Sequence, residues 1–297
     1  MRIKTFNAYN YNWRNKVNPS DVIKINFYGI DEVLQSLAEI RPALIIDYVQ
    51  AVKKRVAREI QDYHIDSNIF DLQEIVKDFP ALKQYPELQE LIIQFTCRYL
   101  YIPQSLYDNP EPIERFELDI VKSRGIDYHR TKAFADILGR KEGIKLWKEI
   151  VVHFVDKLLK GRPESNKESM KDFIEKQLEI KSKDQGADCT VVIFDDNRFL
   201  KKVNRCMCHE ATKHFNDPEF AYLCYCYIGD VLDSRSKGFR RLRRRRSQTL
   251  YFRDFCDEFF WDDEVYPDAQ QPSLEFIRKL GKEDPAKIIE EYQKKGE

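Results

Sequence analysis

Lys181-Ser-Lys-Asp-Gln-Gly186 and, directly after it, Ala187-Asp-Cys-Thr-Val-Val-Ile-Phe194 decide the fold class. The first stretch is polar and ends a region in which apolar residues recur at helical spacing. The second is a β-branched run, Thr190 to Ile193, of the length and composition of a buried strand. A chain that changes period once reads as α+β: a mainly helical N-terminal region, then a C-terminal α+β domain with a small antiparallel sheet. The boundary falls between residues 184 and 185, giving a helical region 1–184 and an α+β domain 185–297.

Upstream of the boundary, residues 1–29 mix aromatics with Asn and Lys and read as an irregular or short extended lead-in. Asp31 is expected to cap a helix that begins at Glu32. Pro42 suits the first turn of a longer helix carrying Leu44, Ile45, Tyr48, Val49, Val52 and Val56. Short helices follow near 70–78 and 86–100. Residues 113–160 read as helical, with Leu146, Trp147, Ile150, Val151, Phe154 and Leu158 as the apolar stripe. Ser165 is expected to cap a helix reaching about Ile180.

Downstream, the spacing predicts a helix over 203–215. Asp217-Pro218 is a strong start signal for a second, running to about Leu232. Residues 244–252 and 255–261 read as an antiparallel hairpin turning at Arg253-Asp254, and 272–295 as one or two short helices.

Composition narrows the function classes. The chain has 297 residues, 50 basic and 50 acidic, so no net charge draws it to nucleic acid or to an anionic membrane. Only 10 glycines occur, and no glycine-rich phosphate loop, G-x-S-x-G or H-E-x-x-H string. No apolar run is long enough to span a membrane, and the N-terminus lacks the apolar core of a signal peptide. The expected location is cytoplasmic. There the seven cysteines, an odd number, are thiols or metal ligands rather than disulfides.

Six of those cysteines lie between 187 and 264: Cys189, Cys206, Cys208, Cys224, Cys226 and Cys256. On a helix over 203–215, Cys206 and Glu210 are four apart and share a face. A carboxylate inside an apolar stripe needs a partner or a pocket. Cys226 and Asp230 repeat the spacing on the next helix, and Asp230 near a helix end opposes the dipole. Cys206 and His209, three apart, form the one local thiol–imidazole pair. A buried cysteine is most often packing, so each pair taken alone is modest evidence. Cys206-x-Cys208 and Cys224-x-Cys226 invite zinc, but a C-x-C inside a helix points its thiols about 200° apart, so no metal is expected. The Arg240–Arg246 run alternates across a strand and faces an acidic strand, which argues against a nucleic-acid surface. One face leaves Arg243 or Arg245 for a substrate carboxylate.

Taken together, Val203-x-Arg205-Cys206-x-x-x-Glu210, Asp217-Pro218-Glu219, Cys226-x-x-x-Asp230, Ser247-Gln-Thr249-Leu250 and Asp254-x-Cys256-Asp257 resemble the L-2-amino-thiazoline-4-carboxylic acid hydrolase family over about residues 188–264. The chain departs from the family pattern in having Arg253 where the turn has glycine and Ser247 for the first hairpin threonine. It also has Glu258 before Phe259, and Cys208 and Cys224 as extra thiols. The resemblance implies hydrolytic opening of a cyclic amidine to a carbamoyl-cysteine, without cofactor. It implies Cys206, Glu210 and Asp230 as catalytic residues and Cys226, Arg245, Thr249, Cys256 and Asp257 around the substrate. The alternative is a non-enzymatic small-molecule-binding or sensory domain with a thiol-lined pocket. A zinc-stabilised module is a third reading. In the first two the partner is a small molecule.

Overall fold

The computed structural model describes residues 1–66, 70–102, 112–160, 169–235 and 241–295. The expected cap Ser165 and the first arginine of the basic run, Arg240, lie outside the described residues. Along the chain run β1 (Arg2–Asn7), β2 (Arg14–Val17), α1 (Pro19–Ile40), α2 (Ile45–Ile60), α3 (Leu72–Val76), α4 (Pro86–Tyr99) and β3 (Ile113–Phe116). Then come α5 (Glu117–Lys122), α6 (Ile126–Leu138), α7 (Arg140–Lys160), α8 (Met170–Lys183), β4 (Ala187–Asp195), β5 (Arg198–Cys206) and α9 (Met207–Thr212). The chain ends with α10 (Pro218–Tyr225), α11 (Tyr227–Arg235), β6 (Leu242–Arg245), β7 (Cys256–Asp262), α12 (Leu274–Lys279) and α13 (Pro285–Lys295). The architecture is α+β, helical in its N-terminal part with most strands C-terminal. No described helix is long and apolar enough to cross a membrane.

Two units share these elements, and each is assembled from separated stretches. The sheet unit is Met1–Tyr11, Leu158–Glu210 and Gly229–Glu297; the helical unit is Asn12–Lys157 and Ala211–Ile228. The single cut at 184/185 read from the sequence therefore differs from this division, because β1 joins the sheet and α10 joins the helices.

The sheet unit holds five antiparallel strands in the order β1-β4-β5-β7-β6. Both faces are covered. Val191, Ile193 and Phe199 pack with Met170 and Ile174 of α8, while Val192, Leu200, Phe259 and Trp261 pack with Phe276 and Ile277 of α12. Burial on two faces explains why β4 is an unbroken apolar run rather than an alternating one. Tertiary pairing overrides the expected helix over 203–215. Its first four residues are strand, because β5 is held on one side by β4 and on the other by β7. Between Asp188 and Cys189 the ladder shifts register: Val203 pairs with Cys189 but Arg205 with Asp188. That bulge leaves Asn204 extra and moves the alternation by one, so Cys206 falls on the same face as Val203.

In the helical unit, α1 starts earlier than expected. Asn18 caps it, accepting from the Ser20 amide at 2.9 Å, with Pro19 in the first turn. Asp31 is not a cap. It lies buried within α1 and accepts from the Leu82 amide at 2.7 Å and from Gln35 at 2.6 Å. Residues 113–116, expected in a helix, form β3 and pair with β2. Asp217 does cap α10 with Pro218 in its first turn, and Lys132 and Arg140 hold its carboxylate. The expected helix to Leu232 is interrupted at Cys226, which separates α10 from α11.

Candidate functional site

Cys206 is the last residue of β5 and stands directly before α9. Strand geometry holds it until the Met207 amide bonds to the Gly186 carbonyl at 2.8 Å, and then the chain turns helical. Cys206 is therefore extended and Cys208 helical. The 200° splay expected for a C-x-C within one helix does not arise, and the Cys208 thiol hydrogen-bonds to the Cys206 sulfur. The amides of His209 and Cys208, left over at the start of the helix, also donate to it, and Lys181 adds positive charge. The Cys208 hydrogen bond is the largest of these effects. Together they overcome burial and bring the Cys206 thiol down to about 6. His209 acts on Cys206 through its backbone; its ring sits edge-on to Tyr251, centroids 5.2 Å apart.

Cys256 starts β7 opposite Val203, on the same face as Cys206. Its sulfur accepts from the Leu250 amide at 3.0 Å and donates to the Thr249 hydroxyl at 3.6 Å. Burial pushes the Cys256 thiol up. The Leu250 amide, Thr249 and Arg246 oppose that shift, and the negative charge of Cys206 adds to it. Cys206 and Cys256 are thus within electrostatic reach, with Thr249 beside the second.

Further along this face the charges interlock. Arg246 reaches Asp230 at 3.1 Å and Glu258 at 2.8 Å, and Arg244 contacts Asp230 at 3.3 Å together with Asp233 and Glu258. Lys201 takes the other Glu258 oxygen. Burial alone would raise the Glu258 carboxyl; Lys201, Arg244 and Arg246 hold it well below the usual carboxylate range. Three cations meet three carboxylates, so the network is formally neutral.

The remaining nominated residues lie elsewhere. Glu210 accepts from the Tyr11 hydroxyl at 3.2 Å, beside Arg205, whose guanidinium lies 5.0 Å from the Tyr11 ring. As β5 ends at Cys206, Glu210 and Cys206 do not stack on one helix. Asp257 and Arg245 fall on the opposite sheet face, one register step from Cys256 and Arg246. Asp257 pins the connecting loop by accepting from the amides of Ser247 at 2.7 Å and Gln248 at 2.8 Å and from Gln271 at 2.8 Å. Arg245 lies 5.2 Å from the Trp261 ring. Cys226 belongs to the helical unit.

Two contributors escaped the sequence. Cys208 looked like an extra thiol, and only the strand-to-helix change at residue 206 reveals its partner. Lys181 sits on α8, ion-paired to Asp184, and no local pattern connects it with Cys206. Among the described residues, no three His, Cys, Asp or Glu side chains come together as a metal site. Comparison of the chain with family models, with curated proteins and with solved structures finds no match.

Proposed function

We propose that the sheet unit carries a thiol-dependent hydrolase site for a small cyclic amidine or amide, of the 2-aminothiazoline-4-carboxylate type, with Cys206 as nucleophile. The observation that carries this reading is the place of the Cys206 sulfur at the β5–α9 junction, where the Cys208 thiol, the amides of Cys208 and His209 and the charge of Lys181 all favour its thiolate. The thiolate adds to the electrophilic ring carbon, and the ring heteroatom leaves as it takes a proton. Water then attacks the adduct and expels the thiolate. Cys256 and Thr249 line the approach. Asp230 acts through Arg246, which faces the thiols where Arg245 does not, and Arg246 receives the substrate carboxylate.

The test is turnover of 2-aminothiazoline-4-carboxylate with product identified by mass. Cys206→Ser should abolish it with the fold intact. A slow analogue should leave an adduct on Cys206 in the parent protein, and Glu210→Gln should reveal whether that carboxylate orients water. Turnover undiminished in Cys206→Ser would remove the thiol from the mechanism. No turnover by the parent would remove this substrate class.

A further inference from the structure

The helical unit contains a cavity of about 160 Å³. Its walls are Val33, Trp147, Ile150, Val151 and Leu223, and its rim is Ile25, Tyr28 and Ile228. Each rim residue is a large apolar side chain left exposed, at 45%, 47% and 37%. Single exposed apolar residues are ordinary, but three around one opening mark a contact site. An apolar cavity of about 150 Å³ is known to accept one benzene ring, which sets the size of occupant.

One cation lines this apolar space. Arg130 lies against the Trp147 ring, 5.5 Å from its centroid, and pairs with Asp127 at 3.0 Å. The chain makes room for it: a Cβ on Gly29 would fall 2.2 Å from the guanidinium. The buried Nε of Arg130 has no hydrogen-bond partner among the described residues. A buried donor without an acceptor is costly, and a ligand oxygen relieves it. A charged ligand is disfavoured on both signs. Arg130 repels a cation, and its pair with Asp127 at 3.0 Å already answers the charge that an anion would seek.

We propose that this cavity binds an uncharged molecule about one ring in size, with an apolar body and a single carbonyl oxygen that accepts from Arg130. The site is independent of the thiol chemistry of the sheet unit.

The experiment is equilibrium binding of acetophenone to the full chain. Ethylbenzene serves as the same shape without an acceptor, and phenylacetate and phenethylamine as charged analogues. Acetophenone should saturate one site per chain and bind about tenfold more tightly than ethylbenzene, the worth of one hydrogen bond to a charged group. Val151→Phe fills the cavity and should abolish both. Gly29→Ala suits the helix but displaces the guanidinium, so it should bring acetophenone down to the level of ethylbenzene and leave ethylbenzene unchanged. Absence of saturable binding overturns the proposal. So does binding that survives in Val151→Phe with the fold intact, a charged analogue that binds best, or a Gly29→Ala effect equal for both probes.

Discussion

The two units differ in how they treat their most buried ionisable groups. In the sheet unit two ionised forms are kept and partnered, Glu258 by Lys201, Arg244 and Arg246 and Cys206 by Cys208 and two amides, while burial still raises Cys189, Cys256 and Asp233. In the helical unit the neutral form is kept. Burial raises the thiols of Cys97 and Cys224 and brings His129 down to about 3. The difference follows from where donors are left over. Inside α4 and α10 the backbone amides are committed to the helix, and the Cys224 thiol donates to the Ala221 carbonyl at 3.3 Å. At the junction of β5 and α9 the Met207 amide meets the Gly186 carbonyl, and the next two amides, of Cys208 and His209, turn to the Cys206 sulfur. Asp217 is the exception in the helical unit, held down to about 2, and it too sits at a helix start with Lys132 and Arg140 at hand.

The contrast between thiols gives the largest expected effect. At pH 7, iodoacetamide should modify Cys206 more than about a hundredfold faster than Cys97 or Cys224, as the thiolate is the nucleophile. Peptide mapping of the native protein reads the rates site by site. Comparable labelling of Cys224 and Cys206 would break the comparison outright.

Next in size is the ion network. Glu258→Gln leaves Lys201, Arg244 and Arg246 facing one another beside a neutral amide, and removing one partner of a buried charge set costs about 3–5 kcal/mol. Urea unfolding should show it as a lowered midpoint. A cost below about 1 kcal/mol would mean that water, rather than Glu258, balances these cations.

The helical unit makes the reverse claim, read by pH. Both ring nitrogens of His129 lack hydrogen-bond partners among the described residues, and the ring packs against Phe95, Tyr128 and Phe215. Its folded value lies below the ordinary 6.5, so the unfolded chain takes up the proton first. Stability should then fall as pH drops from about 6.5 toward 3, by about 1.4 kcal/mol per pH unit. His129→Leu should flatten that part of the curve and stabilise the protein near pH 5. A slope in the variant equal to the parent's would assign the acid sensitivity to other groups.

Local signals announced what local physics decides. The β4 run and the Asp217-Pro218 cap could be read because a doubly buried strand is apolar throughout and a cap is a two-residue event. β5 could not. Lys201-Lys-Val-Asn-Arg-Cys206 looks polar because Lys201 and Lys202 face opposite sides and each finds a distant partner: Glu258 for one, the Leu280 carbonyl at 2.8 Å for the other. The helical spacing of Val203, Cys206, Glu210 and His214 was coincidence, overridden by two neighbouring strands. The same register explains the site. Cys206 and Cys256 share a face through a bulge that no spacing rule foretells, while Asp257 and Arg245, one residue from groups on that face, look the other way.

The smallest effect tests the origin of the Cys206 acidity itself. If leftover donors at the junction stabilise the thiolate, they act in parallel: one thiol from Cys208 and two backbone amides. Cys208→Ala deletes only the first and leaves β5 and α9 in place. The pH midpoint for alkylation of Cys206 should rise from about 6 toward the ordinary thiol value without reaching it. A rise of about one unit corresponds to about 1.4 kcal/mol, the size of a single charge-assisted hydrogen bond. A midpoint that does not move would place the whole effect on the amides and Lys181. A midpoint that returns to the ordinary value would place it all on Cys208. The junction would then lose its claim, and the contrast with Cys224 would reduce to a neighbouring thiol.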